Sequence, residues 1–416
     1  MKIAIIGTGI SGLSAAYHLS QSHDITLFES ADRIGGHTAT IDVDYQGKKY
    51  AIDTGFIVYN DWTYPKFIEL MTALNVESSA TEMSFSVSCE YSGLEYGGNN
   101  LDTLFAQRKN LFNLPYLRML KDIVSFNKSA IEDLESGRLD ESTTLGEYLK
   151  KQGYGKLFAS HYLIPMGSAI WSSTLAEMLD FPLVFFVRFF KNHGLLSVNN
   201  RPQWRVIKGG SRAYLEPLTA GFKDRIKLNT RIKQVVRNND GVEIYFDDQS
   251  HDVFDQIVFA CHSDQALSLL NDPSAEETRI LSAMPYRMNE VVLHTDDSIL
   301  PKAKKAWSSW NYHLGEDSNR PATLSYNMNI LQGIESNTTF VVTLNDDGNI
   351  AADKVIGRYH YAHPVFTLEG IAAQGRWSDI NGVNKTWFCG AYWRNGFHED
   401  GCMSGIRVAE KIQEMH

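Results

Sequence analysis

The sequence predicts a doubly wound α/β fold, and three features of its first thirty residues support the prediction. Ile3–Ile6 is a continuous apolar run bounded by glycine, which is typical of a buried parallel strand. Leu13–Ser20 has helical spacing of its apolar residues, and Asp24–Glu29 has the length and composition of a second short strand. A strand, a helix and a strand in so short a stretch indicate the βαβ unit that opens a doubly wound sheet.

Length and composition set the class of protein. A chain of 416 residues is long enough for two domains. Its 43% hydrophobic and 21% charged residues are ordinary for a globular protein. The net charge of −10 argues against a surface that coats nucleic acid, because phosphate binding needs a basic face. The four cysteines show no CxxC spacing, which indicates free thiols rather than a disulfide framework.

No segment has the pattern of a membrane span. The longest apolar run, Phe181–Phe190, has about half of the ~20 residues that a bilayer requires and contains Arg188. The chain enters a strand within its first residues, without the charged and apolar regions of a signal peptide. We therefore expect a cytoplasmic protein with no transmembrane helix.

The stretch Leu111–Asn127 predicts a helix after Pro115, because its apolar residues recur at i, i+3, i+4 and i+7. It is basic within an acidic protein. A solvated helix face is the simpler interpretation, and peripheral contact with the inner face of the membrane is the alternative. The basic residues are Arg108, Lys109, Arg118, Lys121 and Lys128.

The middle and the end of the chain contain further predicted strands and a further helix. Arg225–Asp248 reads as alternating strands around the turn Asn238–Gly241, which predicts a hairpin. Asp255–Ala260 is a further buried strand, and Thr386–His416 runs from strand through a glycine-rich turn to a helix. We therefore predict a discontinuous dinucleotide domain and a substrate domain with a cleft between them. The predicted limits are 1–75, 200–270 and 375–416 for the first domain, and 76–199 and 271–374 for the second.

The segment Gly7-Thr8-Gly9-Ile10-Ser11-Gly12 matches the G-x-G-x-x-G pattern between a strand and a helix. Gly7 permits the tight turn, Gly9 lets the backbone approach a pyrophosphate, and Gly12 allows close packing of helix on strand. Glu29, at the end of the next strand, can accept hydrogen bonds from both ribose hydroxyls. The pattern predicts a dinucleotide cofactor with its phosphates at the helix N-terminus, without separating NAD from FAD.

Two further motifs decide between these cofactors. Arg33-Ile34-Gly35-Gly36-His37 follows Glu29, and Asp53-Thr54-Gly55-Phe56 follows the next strand. Here the sequence resembles the flavin amine-oxidase superfamily, whose members have an Arg-x-Gly-Gly motif after the ribose carboxylate. The resemblance implies FAD in a Rossmann-type, glutathione-reductase-like domain, with an α+β substrate domain beside it. Where that family usually has arginine, this chain has His37.

The far end of the chain resembles the same family. Thr386–Ala391 is similar to its last strand, which ends beside the ribityl chain, and His398–Gly405 to the helix that points at the flavin. Helix N–H groups can stabilise the negative charge of a reduced flavin. Asp400 replaces a family glycine and is expected to cap this helix. The predicted cofactor residues are Gly7, Gly9, Ile10, Ser11, Gly12, Glu29, Ser30, Arg33, Gly35, Gly36, His37, Thr54, Gly55, Phe56, Ile232, Gly390, His398, Glu399 and Gly401.

Six other segments carry a closer resemblance. Together they are similar to FAD-binding oxidoreductases encoded beside cyclopropane fatty-acyl-phospholipid synthases. This resemblance implies a substrate among modified membrane fatty acids, and a lipid methyltransferase of the cyclopropane-synthase type as partner. The segments are Pro165–Ser172, Arg201–Arg205, His262–Leu267, Ser308–Tyr312, Tyr361–Phe366 and Gly396–Gly401.

We therefore expect an FAD-dependent oxidoreductase that removes two electrons from a lipid or fatty-acyl substrate, with hydride transfer to flavin N5. His398, Tyr361 and His363 are the candidates for the substrate face, through the resemblance and their acid–base capacity. Two alternatives stay open, an amine oxidase for a small amine and a non-catalytic flavoprotein partner of a lipid methyltransferase. Amine oxidases commonly place a lysine near flavin N5, and the corresponding strand, Met284–His294, has none.

The sequence lacks the motifs of a zinc site, a hydrolase and a phosphotransferase. The histidines near the end of the chain fit no standard zinc spacing, so we expect no metal. No Gly-x-Ser-x-Gly elbow or phosphate-binding G-x-x-x-x-G-K-[ST] loop is present, which disfavours a hydrolase and a phosphotransferase. Phe181–Phe190 and the cluster of Trp307, Trp310 and Tyr312 suit either an acyl tunnel or, more commonly, a packed core.

Overall fold

The computed structural model describes residues 1–197, 199–315 and 323–415. The strands are β1 (Lys2–Ile6), β2 (Asp24–Phe28), β3 (Thr40–Tyr45), β4 (Lys48–Asp53), β5 (Val58–Asn60), β6 (Ser78–Thr81), β7 (Phe85–Cys89), β8 (Glu95–Gly97), β9 (Trp204–Ile207), β10 (Ile226–Lys227), β11 (Ile232–Arg237), β12 (Val242–Phe246), β13 (His251–Phe254), β14 (Gln256–Phe259), β15 (Tyr286–His294), β16 (Trp310–Leu314), β17 (Thr323–Asn327), β18 (Val341–Leu344), β19 (Val355–Pro364) and β20 (Thr386–Phe388).

The α-helices are α1 (Ile10–Leu19), α2 (Pro65–Ala73), α3 (Leu101–Leu104), α4 (Leu114–Glu135), α5 (Leu145–Gln152), α6 (Lys156–Phe158), α7 (Ile164–Trp171), α8 (Leu175–Leu179), α9 (Leu183–Asn192), α10 (Leu215–Thr219), α11 (Ser263–Leu269), α12 (Ala275–Ser282), α13 (Met328–Leu331), α14 (Leu368–Gln374), α15 (Trp377–Ile380) and α16 (His398–Gln413). A π turn, Ala159–Leu163, joins α6 to α7, and a 3₁₀ turn, Arg108–Phe112, precedes α4. Within the described residues, no helix combines the length and the apolar character that crossing a bilayer demands.

A five-stranded parallel sheet forms the centre of the first domain. Its strand order is β10-β2-β1-β14-β20, and Ile5 of β1 lies opposite Leu27 of β2 and Val258 of β14. All three side chains are fully buried, as expected for a sheet covered on both faces. The chain winds outward on both sides of β1, so the doubly wound fold is confirmed. The strands come from the start, the middle and the end of the chain, while the predicted domain limits stay a prediction.

The last helix of the chain, α16, packs directly on α1. A Cβ atom at Gly405 would overlap the carbonyl oxygen of Ser11 and lie 3.0 Å from the backbone nitrogen of Ala15. A Cβ at Gly12, on α1 itself, would overlap the carbonyl oxygen of Gly7. Both approaches require residues without side chains. They hold the end of the chain against the turn that follows β1.

The second domain combines a seven-stranded mixed sheet with the helices from α4 to α9. The sheet order is β19-β15-β18-β17-β16-β7-β8. The aromatic run predicted as core or tunnel lies mostly in the core, where the rings of Phe186 and Phe190 stack 4.0 Å apart. Tyr312 is also buried in this core. The smaller sheets β3-β4 and β5-β9-β6 complete the fold.

Two predicted elements can be compared with the structure residue by residue. The hairpin is confirmed, since Asn238 Oδ1 accepts hydrogen bonds from the backbone nitrogens of Asp240 and Gly241 between β11 and β12. The helix predicted after Pro115 within Leu111–Asn127 is present, but it begins at Leu114 and continues to Glu135. It begins earlier because the Asn113 side chain accepts a hydrogen bond from the Tyr116 nitrogen, and Pro115 suits the first turn.

Replacing Gly405 by alanine should loosen the joint between α16 and α1. The added Cβ has no space, so we expect Gly405→Ala to lower the free energy of unfolding by about 2 to 3 kcal/mol. Urea unfolding followed by far-ultraviolet circular dichroism measures the change. Gly221→Ala is the matched control, because a Cβ there has no heavy atom within 4 Å. Equal stability of the two variants would contradict the close packing.

Candidate functional site

One continuous cavity of about 1590 Å³ runs from the ends of β1 and β2 into the second domain. Gly7 and Glu29 line one end of it, and Leu120 and Trp171 line the other. A pocket for a single small ligand usually measures about 300 to 1,000 Å³. The cavity is therefore large enough for a dinucleotide and a second molecule.

Two glycine motifs form the first wall of the cavity. Gly7 has a φ of +103°, and a Cβ there would lie 2.8 Å from the carbonyl oxygen of Ala260. At Gly9, the N-cap of α1, a Cβ would meet no heavy atom within 4 Å. At Gly36 a Cβ would lie 3.1 Å from the Gly9 Cα, so the Gly35–Gly36 turn lies against the first glycine turn. The space in front of Gly9 is thus an open cradle at a helix N-terminus, which suits a phosphate.

Glu29 is fixed beside this cradle. Its Oε2 accepts hydrogen bonds from the backbone nitrogen of Thr8, at 3.0 Å, and from the Thr8 hydroxyl, at 2.6 Å. Its Oε1 accepts a bond from the Ala31 nitrogen, at 3.0 Å. The carboxylate is therefore held at the end of β2, and Ser30 and Ile232 line the same end of the cavity. This is the position expected for the ribose and adenine of a dinucleotide.

The end of the chain forms the adjoining wall. Gly390, Gly401 and His398 line the cavity, and a Cβ at Gly401 would lie 2.7 Å from the Ile10 side chain. Asp400 caps α16, as predicted, because its Oδ2 accepts a hydrogen bond from the Phe397 nitrogen at 2.9 Å. The N-terminus of α16 is therefore formed at the cavity, close to α1.

His398 is held tightly in this wall. Its ring stacks on Phe56, with 3.7 Å between ring centroids and 6° between planes. Its Nε2 lies 2.9 Å from the hydroxyl of Tyr214, which in turn lies 2.6 Å from the Thr38 hydroxyl. Burial lowers the pKa of His398 well below its usual value. The neutral ring is thus a flat, fixed part of the surface.

Most of the predicted cofactor residues line this one cavity. They are Gly7, Gly9, Ile10, Ser11, Glu29, Ser30, Gly35, Gly36, His37, Gly55, Phe56, Ile232, Gly390, His398 and Gly401. Of the predicted substrate-facing residues, His363 and His398 line it as well.

Five predicted residues do not line the cavity. Gly12 packs against the Gly7 turn, and Arg33 donates to the carbonyl oxygens of Gly36 and Thr38, at 2.9 and 3.1 Å. Arg33 therefore holds the second glycine turn. The remaining three are Thr54, Tyr361 and Glu399.

Tyr361 and Glu399 differ most from their predicted roles. The hydroxyl of Tyr361 bonds to that of Thr54 at 2.8 Å, so it joins β19 to the Thr54 turn instead of facing a substrate. Glu399 accepts hydrogen bonds from the backbone nitrogens of Lys66 and Phe67, at 3.0 and 2.8 Å. It therefore caps α2, because unpaired N–H groups at that helix N-terminus attract a carboxylate.

Three imidazoles line the cavity where the two domains meet. His37 follows the second glycine turn, His262 follows β14, and His363 lies on β19. The His37 ring centroid is 5.6 Å from that of His363 and 6.3 Å from that of His262. Sequence reasoning named His37 and His363 but missed His262, whose one signal was its place in the resembling segment His262–Leu267.

Burial keeps all three histidines neutral. It lowers the pKa of His37 to about 3 and that of His363 to about 4, and repulsion from the neighbouring imidazoles adds to both changes. Burial also lowers the pKa of His262, whose ring stacks on Tyr286 at 3.9 Å. Among the described residues, no group of His, Cys, Asp and Glu side chains has an arrangement that would hold a metal ion.

Neighbouring groups fix the tautomers of two of these rings. His37 Nε2 lies 3.1 Å from the carbonyl oxygen of Ala362, which accepts only, so Nε2 carries the proton and Nδ1 is an acceptor. His363 Nδ1 lies 2.9 Å from the Ser172 hydroxyl and 3.3 Å from the Asn289 amide nitrogen, which donates only. His363 Nδ1 is therefore the acceptor, and its Nε2 is an N–H donor.

Beyond the histidines the cavity is mainly apolar. Trp171 and Trp310 line it, and the indole Nε1 of each is buried with no hydrogen-bond partner among the described residues. None of the described lining residues is a lysine, and the acidic ones are Glu29, Glu82 and Asp247. The apolar lining comes from Phe85, Leu104, Leu120, Ile123, Val124, Tyr162, Met166, Ile170, Phe189, Leu195 and Phe366.

Comparison with known proteins gives a consistent result. The family model of flavin containing amine oxidoreductases matches residues 10–332, more than half of the chain. An L-amino-acid oxidase of Demansia vestigiata is 21% identical over 364 residues, which cover 84% of this chain and 67% of that protein. The chain spans about two thirds of the length of the first curated relatives it matches.

Two solved structures share the whole fold. Cyclohexylamine oxidase from Brevibacterium oxydans covers 100% of this chain and 99% of its own, with a TM-score of 0.74 and 16% identity. A CLA-producing fatty acid isomerase from P. acnes covers 98% of both chains, with a TM-score of 0.69 and 16% identity. At these identities the structures establish the two-domain fold.

FAD, the cofactor of flavin containing oxidoreductases, fits the residues of the cavity. The open cradle at Gly9 suits its pyrophosphate, and Glu29 suits a ribose. The N-terminus of α16 suits the ring system, because its N–H groups stabilise negative charge.

Gly9→Ala should separate cofactor binding from folding. In the protein alone the new methyl group meets nothing within 4 Å, so stability should stay unchanged. The methyl would occupy the phosphate cradle, and we expect the dissociation constant of FAD to rise about tenfold or more. Fluorescence titration of FAD measures it, with Gly221→Ala as control. Unchanged FAD affinity would contradict the assignment of the cradle.

Acid should destabilise the protein through its buried histidines. The unfolded chain takes up a proton on each histidine near pH 6.5, whereas His37 and His363 in the folded state have pKa values of about 3 and about 4. At pH values between the folded-state and the unfolded-state pKa, the unfolded chain therefore binds more protons than the folded protein. Stability should therefore fall as the pH drops from 6.5 towards 4, by up to about 1.4 kcal/mol per pH unit for each histidine.

The variant His37→Gln isolates one of these contributions, since its amide can still donate to Ala362. Its free energy of unfolding, measured in urea at several pH values, should fall less steeply than that of the wild type below pH 6.5. Above about pH 7.5 the two curves should run parallel. Asp53 and Asp400, whose pKa values burial raises to about 6 and about 7, act in the opposite direction but equally in both proteins. Identical slopes would show that His37 is not buried as a neutral ring.

Proposed function

We propose that this chain, which belongs to the flavin containing amine oxidoreductase family and is an FAD-dependent oxidoreductase, oxidises the acyl chain of a lipid by two electrons. The reaction class that fits best is a desaturation, in which two neighbouring carbons each lose one hydrogen and form a double bond. One hydrogen leaves with its electron pair as a hydride, which the bound flavin would accept. The other leaves as a proton, for which the unprotonated Nδ1 of His37 at the junction of the domains is the acceptor that we propose.

The observation that carries the proposal is the apolar half of the cavity. A bound dinucleotide would occupy the end near Gly9 and Glu29, and a long space lined by aliphatic and aromatic side chains would remain. Such a lining suits a hydrocarbon chain.

The same lining disfavours a small amine. A protonated amine carries a charge that is costly to bury without a carboxylate beside it. Glu29 and Asp247 lie at the end expected for adenine and ribose, and the third acidic side chain, Glu82, is exposed. The described lining also lacks lysine, the residue that amine oxidases commonly place near the flavin. The name of one structure with this fold, a fatty acid isomerase, agrees with an acyl substrate.

The residues of the chain have separate tasks in this reaction. FAD, when bound, supplies the two-electron acceptor. The N-terminal N–H groups of α16 stabilise the negative charge that reduction produces. The apolar walls exclude water and align the acyl carbons, while His363 Nε2 offers an N–H donor at the junction of the domains. The neutral state of the three histidines keeps positive charge out of the cavity.

An amine oxidase is the second candidate, because the L-amino-acid oxidase and the cyclohexylamine oxidase share the family and the fold. A lipid methyltransferase of the cyclopropane-synthase type is the partner that we propose for the lipid oxidoreductase. Sequence resemblance alone supports that partner.

Anaerobic mixing tests the substrate class directly. We expect the absorbance of the bound flavin to bleach with detergent-dispersed phospholipid, and the recovered lipid to have lost two hydrogens by mass spectrometry. Cyclohexylamine and L-leucine should leave the absorbance unchanged. Bleaching by an amine and not by any lipid would overturn the proposal in favour of the second candidate.

Leu120→Trp tests whether the chain lies in the apolar half. Leu120 lines that half and is partly exposed, so the larger side chain should narrow the cavity without disturbing the flavin spectrum. We expect bleaching by long acyl chains to slow about tenfold or more, because remote binding positions the reacting carbons. Short chains that do not reach Leu120 provide the internal control. Equal slowing for short and long chains would contradict this position.

A further inference from the structure

We propose that the segment from α3 to α4 is a docking surface for an anionic lipid bilayer, and that the acyl chain enters the cavity through it. Binding to the bilayer stands on its own observations, while passage of the substrate rests on the proposed function. The docking surface consists of the exposed side chains of Leu101, Leu111, Phe112, Leu114, Leu117, Lys121, Val124 and Lys128.

Exposed apolar side chains concentrate in this segment. Among the described residues, 15 large hydrophobic side chains are exposed, and six of them lie between Leu101 and Val124. The three most exposed are Phe112 at 87%, Leu114 at 76% and Leu101 at 74%. Single exposed apolar residues are common on proteins, but a cluster of them marks an interaction site.

Helical spacing puts several of these residues on one face. Leu114, Leu117, Lys121, Val124 and Lys128 recur at intervals of three and four residues along α4, and all five are exposed. The opposite face is buried in the second domain through Tyr116, Met119, Phe126 and Ala130. The helix is therefore anchored in the protein on one side and presents an apolar face with lysines on the other. Helices of this kind lie in the interface of a bilayer.

The charge of the segment selects an anionic surface. Residues 101–128, the span of the docking surface, contain five basic side chains and two acidic side chains, in a protein of net charge −10. Arg118 lies 3.8 Å from Asp122, and Lys128 lies 3.9 Å from Glu132. Ion pairs at a protein surface are weak, so these two basic side chains can exchange their partners for lipid headgroups. Arg108 pairs with Asp102, and no ion pair among the described residues includes Lys109 or Lys121. Lysine and arginine at a bilayer surface are attracted by anionic lipids.

The lining of the cavity reaches the docking surface. Leu101 and Val124 belong to both, since each is exposed and each also lines the cavity. Leu120 and Ile123, adjacent to Val124 on α4, continue the apolar lining inward. A bilayer seated on this surface would bring its acyl chains to Leu101 and Val124, where the apolar lining begins. A protein seated there would cover these two residues, which favours the lipid as the occupant.

Vesicle binding by the FAD-loaded protein tests the proposal. We expect sedimentation with vesicles of phosphatidylcholine and phosphatidylglycerol, and much weaker binding to phosphatidylcholine alone or in high salt. Phe112→Ser/Leu114→Ser should lower the partition coefficient about tenfold or more, since it removes two inserted side chains. Lys121→Glu/Lys128→Glu should lower it about tenfold on anionic vesicles only.

Met288→Ser/Val383→Ser is the matched control. Both residues are exposed apolar side chains outside the segment, at 62% and 43%, so this variant should bind vesicles like the wild type. Retained flavin absorbance in every variant shows that the cofactor site is intact. Equal vesicle binding by the control and the Phe112→Ser/Leu114→Ser variant would overturn the docking surface. The docking surface would also be overturned if the protein did not bind vesicles and instead self-associated through Phe112 and Leu114.

The two proposals fail in different ways. Flavin bleaching by detergent-dispersed lipid without vesicle binding would overturn the docking surface and support the proposed function. Vesicle binding that the variants abolish, without bleaching by any lipid, would support the docking surface and overturn the proposed function.

Discussion

The contact between the first and last helices determines the architecture of the site. Gly405 of α16 lies against the backbone of Ser11 and Ala15 so closely that no side chain fits between them. Gly12 does the same for α1 and the Gly7 turn. These contacts place the N-terminus of α16 beside that of α1, and residues of both helix ends line the cavity. Two positive helix ends thus face one elongated space, which favours a ligand that carries negative charge at two separate points.

The cavity divides into regions of different chemistry. Glycine backbone and one carboxylate, Glu29, form the dinucleotide end, and neutral histidines mark the junction of the domains. Aliphatic and aromatic side chains form the far end, which continues to the exposed face of α4. By our proposal, a lipid substrate would enter at the apolar end of the cavity and extend towards the polar end. A cyclohexylamine oxidase has the same fold, so the fold alone does not determine the substrate.

Positions could be predicted from the sequence where a local motif requires one particular residue type. Gly7, Gly9 and Glu29 could be placed because a strand–turn–helix unit that binds phosphate needs them in that spacing. Prediction failed where a side chain had a choice of partners in space. Glu399 caps α2 and Tyr361 bonds to Thr54, and neither partner is near in sequence. His262 was missed for the same reason, since its neighbours His37 and Tyr286 come from distant segments. The fold was therefore readable from local patterns, whereas the site depended on long-range contacts.

One cavity holds FAD at the Gly9 end and, by our proposal, an acyl chain at the Leu120 end. A crystal structure of the FAD-loaded protein grown with a brominated fatty acid tests it most directly. We expect the cofactor pyrophosphate in front of Gly9 and the anomalous bromine signal between α4 and Trp171. Bromine found outside the cavity, or FAD bound away from the Gly9 turn, would contradict the account.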